Sequence, residues 1–279
     1  MVDTEPTTPT TTQTLAAYVE VWWKAIGDFT ALADTLTDED WSRPTDLAGW
    51  DVKAVVSHVA HLESILGGGP HETAEIGEAP HLQRPQQQFT EIGVVTRRTT
   101  APGEIVDQIR RYAAVRHEAL LADPPTDPEA KAPGIFGAIG WSTGTLLRNR
   151  PLDVWMHEQD IRRAVGRPGG LDSPAADHTA AYLLESLGFV LARRAGAAPG
   201  TSVLALVEGS GPAAYAVRAD GKGVPLPEPP TEPTVTLRTD RETFIRLAGG
   251  RGGVDPAAVA IDGDRELGER IVENLAVTP

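Results

Sequence analysis

Asp153-Val154-Trp155-Met156-His157-Glu158-Gln159-Asp160-Ile161-Arg162-Arg163-Ala164 carries a carboxylate and an imidazole four residues apart. On a helix two such residues share one face, about 40° apart, and can chelate one metal ion. The same spacing also describes a charge pair on a solvated face, and both readings stay open at this point. The periodicity predicts a helix from about Thr143 to Val165. Pro151 near its middle predicts a kink, or a fresh start with Asp153 in the first turn, where the helix dipole favours a carboxylate.

Working outward, a second helix is expected over Asp51–Leu66, with Asp51 as N-cap and Gly67-Gly68-Gly69-Pro70 as its stop. Placed at 100° per residue, Val52, Val55, Val56, Val59, Leu62 and Leu66 fill an arc about 120° wide. His58 lies at the edge of that arc and can point inward. His61 lies about opposite its centre and is expected on the solvent side. A core-edge histidine is the plain alternative for His58. Metal sites in helical bundles are built from inward side chains on facing helices. His58, Asp153 and His157 together would give two imidazoles and one carboxylate. Three protein ligands leave a position open, as catalytic sites do, and suit zinc, nickel or iron.

The remaining pattern divides the chain. Apolar residues at helical spacing predict helices over about Thr14–Leu36, Pro102–Ala122 and Pro174–Arg194, with a polar loop at Pro70–Pro85. Beyond Thr201 the segments become short, with strands expected at Val203–Val207, Ala213–Arg218, Thr234–Arg238 and Ala257–Ile261, and helices at Asp240–Leu247 and Arg265–Leu275. The expected fold class is α+β in two domains. Residues 14–170 would form a helical bundle and 171–279 a small α/β domain, after a Thr- and Pro-rich tail at 1–13. Gly250-Arg251-Gly252-Gly253 lacks the strand–loop–helix setting of a phosphate-binding loop.

Composition narrows the function. The chain has 279 residues, 41% of them hydrophobic, and a formal net charge of −14. That charge argues against nucleic acid and anionic membrane surfaces as partners. No 18-residue apolar run is present to span a bilayer. There is no cysteine, so cysteine-ligated zinc and a protein thiol nucleophile are excluded. Any sulfur chemistry needs a small-molecule thiol. With no secretory signal in the first residues, the expected compartment is the cytoplasm. Lys supplies only four of the 25 basic residues (Lys24, Lys53, Lys131, Lys222), which with the Ala, Gly and Pro content suggests a high-GC bacterial source.

Gly49-Trp50-Asp51-Val52-Lys53-Ala54-Val55-Val56-Ser57-His58 and Asp153–Ala164 resemble the two metal-binding helices of the mycothiol-dependent maleylpyruvate isomerase family. Thr239-Asp240-Arg241-Glu242-Thr243-Phe244 and Ile261-Asp262-Gly263-Asp264-Arg265-Glu266-Leu267-Gly268 resemble that family's second domain. The resemblance implies a DinB-like four-helix bundle joined to a smaller, sterol-carrier-like domain with a mostly antiparallel sheet. It implies a metal, usually zinc, on His58, Asp153 and His157, with Asp153 standing where the isomerase has Glu. It implies mycothiol, a thiol of actinobacteria, as cofactor or co-substrate, added as thiolate to a small electrophile in cis–trans isomerisation or S-transfer. A ligand- or partner-binding module that keeps the family fold without catalysis is the alternative. Arg148, Arg150, Arg218, Arg238 and Arg251 are candidates to meet an anionic substrate. Arg238 and Arg251 are preferred, because in the family the second domain closes over the site. Trp50, Trp141 and Trp155 could wall a pocket or simply fill the core, and Trp50 and Trp155 are preferred for the cofactor. Asp160 with Arg162 and Arg163 could orient a ligand or form surface ion pairs. His71 and His81 lie in the loop, and nothing singles them out. A monomer or homodimer is expected.

Overall fold

The computed structural model describes residues 11–278 and divides the chain into two compact units. One holds the chain up to Arg43 together with Trp50–Val165, and the other Pro44–Gly49 together with the chain from Gly166 on.

The first unit is a bundle of α1 (Thr11–Ala33), α2 (Val52–Leu66), α4 (Pro102–Ala122) and α6 (Thr143–Val165). A further helix, α3 (Pro85–Thr96), packs on α2, and a short α5 (Gly134–Ala138) precedes α6. Each bundle helix follows its apolar stripe. Trp22, Ile26 and Phe29 of α1, Val52, Val55, Val56 and Val59 of α2, Ile105 and Ile109 of α4, and Val154 and Ile161 of α6 are all buried. Side chains of this kind contribute roughly 1.5–3 kcal/mol each when removed from water. Asp51 caps α2 as expected, its carboxylate accepting from the Ala54 amide at 2.8 Å. The expected tail is helical from Thr11; its earlier part lies outside the described residues.

Two expectations change here. Helix α3 falls outside the predicted helices, because it buries only Glu91 and Gly93 and shows no apolar stripe. Pro151 neither ends nor restarts α6, which is one continuous helix from Thr143. The helix forgoes the single bond that residue 151 would donate to Leu147, and Asp153 stands in mid-helix.

The second unit contains one five-stranded mixed sheet in the order β3-β2-β1-β4-β5. The strands are β1 (Ser202–Val207), β2 (Ala213–Val217), β3 (Gly223–Pro225), β4 (Val235–Thr239) and β5 (Ala260–Gly263). Pairings β1/β2, β2/β3 and β4/β5 are antiparallel, and β1/β4 is parallel. The mostly antiparallel expectation holds, with one parallel pairing at its centre. The predicted helix over Pro174–Arg194 divides into α7 (Pro174–Leu184), α8 (Leu187–Phe189) and a π-helical turn (Val190–Arg194). At the break Ser186 donates its hydroxyl to the Leu183 carbonyl at 2.6 Å, a side-chain bond that competes with the helical ladder. Helix α10 (Arg265–Glu273) packs over β4 and β5, burying Leu267, Ile271 and Val272; α9 (Arg241–Ala248) follows β4 and packs on α7. Strand β3 was not foreseen. At three residues it is too short for an alternation signal, and Gly223 lets its backbone meet that of Gly188.

Candidate metal centre

Helix α2 brings His58, and the facing α6 brings Asp153 and His157, to one place inside the first unit. One ligand atom from each of the three residues lies within 4.8 Å of the other two. His58 Nε2 is 3.7 Å from Asp153 Oδ2, and His157 Nε2 is 3.7 Å from Asp153 Oδ1. Both separations are too long for hydrogen bonds. They suit donors sharing one cation, since two ligands about 2.1 Å from a tetrahedral ion lie about 3.4 Å apart. The two imidazoles meet edge to face, with centroids 4.8 Å apart.

The charges fit the same use. Burial pushes the His58 imidazolium down to about 4, against the pull of Asp153, so near neutrality the ring offers a lone pair. Burial would raise the Asp153 carboxyl, but the Arg150 guanidinium and the neighbouring imidazoles hold it well below the usual carboxylate range. His157 Nδ1 lies 3.1 Å from Asp160 Oδ2 and donates its proton there in the tautomer that leaves Nε2 toward Asp153. Asp160 is fully buried, and Arg163 in turn donates to its other oxygen at 2.6 Å. Arg162 pairs with Glu158 instead, at 2.7 Å. His58 Nδ1 has no hydrogen-bond partner among the described residues. Its ring lies against Trp50, centroids 5.1 Å apart, and Trp50 is 6.3 Å from the His157 ring. The Trp50 indole donates to Glu91 Oε2 on α3 at 2.8 Å, and His81 Nε2 stands 3.6 Å from the same oxygen.

The other candidates lie in varied settings. Trp155 is buried within the bundle, and Trp141 packs against a small cluster of Leu62, Ala132, Phe136 and Leu146. Arg150 is buried against Asp153 and Glu63. Arg148 lies near the Tyr18 ring, and Arg218 pairs with Asp220 at the surface. Arg238 and Arg251 belong to the second unit. Arg238 meets Asp262 at 3.3 Å, and Arg251 is buried with a bond to the Gly249 carbonyl at 2.7 Å. His71 is exposed.

His61 is a correction. It was expected in solvent and is 1% exposed, because α3 covers that side of α2. Gly93 of α3 comes so close that a Cβ there would stand 2.3 Å from His61 Cβ. His61 Nδ1 bonds Glu72 at 2.8 Å, and Glu72 also accepts two bonds from Arg97, at 2.6 and 2.7 Å, and one from Thr96 at 3.2 Å. Glu72 thereby ties the connection between α2 and α3 to the bundle. The residues missed by sequence reasoning are the buried acids Glu63 and Glu91 and the half-buried Glu72. Only the Arg150–Asp153 pair had a signal, its spacing of three on one helix.

Residues 22–162 match the family described as mycothiol maleylpyruvate isomerase N-terminal domain, and residues 177–270 match the C-terminal domain of the same family. Crystal structures of the mycothiol-dependent maleylpyruvate isomerase, and of a histidine-to-alanine mutant of it, share the fold. Each is 16% identical with a TM-score of 0.55, over 89% of this chain and 92% of that one. No curated protein is a significant match. With its two domain matches covering most of the sequence, the chain belongs to the mycothiol-dependent maleylpyruvate isomerase family.

Proposed function

We propose that the chain is a metal-dependent enzyme that takes mycothiol as its thiol and adds it to a small electrophile, by cis–trans isomerisation or S-transfer. The observation that carries this is the convergence of two buried imidazoles and one carboxylate within 4.8 Å in a family named for a mycothiol-dependent reaction. His58, Asp153 and His157 would hold the ion, zinc by preference and nickel or iron as alternatives. When bound, such an ion favours the thiolate over the thiol.

The chain's own residues do the rest. The chain contains no cysteine, so the nucleophilic sulfur must come from outside. Asp160 keeps the His157 lone pair turned inward. Trp50, held by Glu91, supplies an apolar wall beside both imidazoles and keeps water from one side of them. Trp155, two residues from both Asp153 and His157, lies on the other side of α6 and fills the bundle core. In the isomerisation the added sulfur leaves again after rotation about the former double bond; in S-transfer it stays.

The test is mycothiol-dependent consumption of an electrophile panel headed by maleylpyruvate, using zinc-loaded protein. Turnover that requires both zinc and mycothiol, and is lost in His58→Ala, is expected. Turnover indifferent to either would overturn the metal- and mycothiol-dependent reading, and no turnover together with tight ligand binding would point to a binding module.

A further inference from the structure

Arg150 is buried at 1% exposure, and its guanidinium bridges two carboxylates. Nη1 donates to Asp153 Oδ2 at 2.7 Å, and Nη2 donates to Glu63 Oε1 at 2.7 Å. Glu63, on α2, is fully buried as well. Its Oε1 also accepts the Trp22 indole at 3.1 Å, and its Oε2 faces Arg116 at 3.8 Å. The row Arg116, Glu63, Arg150, Asp153 therefore alternates in charge and fixes Arg150 from the side away from the triad.

Both oxygens of Asp153 border that triad, Oδ2 toward His58 and Oδ1 toward His157. An unrestrained carboxylate could bind an ion through both, and with two imidazoles that would complete four-coordination. A charge-assisted bond of 2.7 Å occupies Oδ2 and fixes the plane of a side chain with only two torsions. We propose that Arg150, anchored by Glu63, is a positioning residue that restricts Asp153 to the metal through Oδ1 and so preserves an open position for a thiol. This rests on the metal reading above. The rival is a structural strut that joins α2 to α6 and leaves the metal's coordination unaffected.

The experiment uses the full chain loaded with Co2+, read by visible absorption, with mercaptoethanol as the probe thiol. The variant is Glu63→Gln/Arg150→Met, which removes both buried charges at similar volume. Wild type is expected to give the intense bands of a low-coordinate site and a new sulfur-to-cobalt band on adding thiol. The double variant is expected to bind Co2+ as a closed four-ligand site with an altered spectrum and to lose most of the thiol band. A wild-type spectrum and thiol response in the variant would overturn the proposal and leave the metal reading standing. Failure of wild type to take up cobalt or zinc would overturn both. If the double variant loses its fold by circular dichroism, Arg150→Lys carries the test. A single ammonium lacks the fork that holds both carboxylates, so the same loss is expected and an unchanged spectrum again overturns the proposal.

Discussion

Glu72→Gln should weaken the bundle at neutral pH and matter much less in acid. Glu72 accepts four bonds, from Arg97 twice, His61 and Thr96. Burial by itself would raise its carboxyl, but the bonds from His61 and Arg97 and the Arg97 charge hold it down at about 2, against 4.5 for a free glutamate. At about 1.4 kcal/mol per pKa unit the full difference is about 3 kcal/mol, and water at this partly open cluster reduces it to about 2. The folded value lies below the unfolded one. The contribution is therefore present above about pH 4.5 and is lost as the pH falls toward 2. Glutamine keeps the shape without the charge and does not titrate. All six tryptophans lie in the first unit, so their fluorescence follows that unit alone during urea unfolding. With chelator present to remove any metal contribution, wild type should exceed the variant by about 2 kcal/mol at pH 7 and by less than half of that at pH 3. An equal gap at both values, or none at pH 7, would refute the electrostatic account of this anchor.

Three further substitutions separate the scaffold from the site. Asp160→Asn should cost about tenfold or more in zinc affinity, measured by competition with a chromophoric chelator, because His157 loses its charged partner; unchanged affinity would remove Asp160 from the site. Gly93→Ala should lower stability by about 1–3 kcal/mol, since its methyl meets His61 Cβ. A thermal midpoint equal to wild type would show that α3 yields easily. Asp51→Ala should cost about 1 kcal/mol in urea unfolding by uncapping α2, with Asp51→Ser restoring most of it.

The triad was legible because each of its signals is local. Asp153 and His157 are four apart on one strongly helical segment, and His58 sits at the edge of a clean valine arc. His61 was not legible. A helical wheel treats every side but the apolar one as wet, and here α3 lies over that side. The α3 sequence, Pro85–Thr96, has three glutamines near its start and no apolar stripe, so only its packing on α2 reveals it. Arg150 and Glu63 illustrate the second limit. A single arginine or glutamate reads as surface, and only the fold shows that each is buried against the other. In the second unit, the strands with clear β-branched runs were placed within a few residues. The last shifted to Ala260–Gly263 because Asp255 and Pro256 set a 3-10 turn before it, with Asp255 accepting from the Ala257 amide at 2.9 Å.

If His58, Asp153 and His157 hold a divalent ion, the metal should copurify with the chain. The most direct measurement is elemental mass spectrometry on untagged protein purified without chelator, wild type beside His157→Ala, each checked for fold by circular dichroism. About one zinc, nickel or iron per chain is expected in wild type and almost none in the folded variant. Wild type that stays metal-free after zinc is added back, or a variant that keeps its metal, would contradict that assignment.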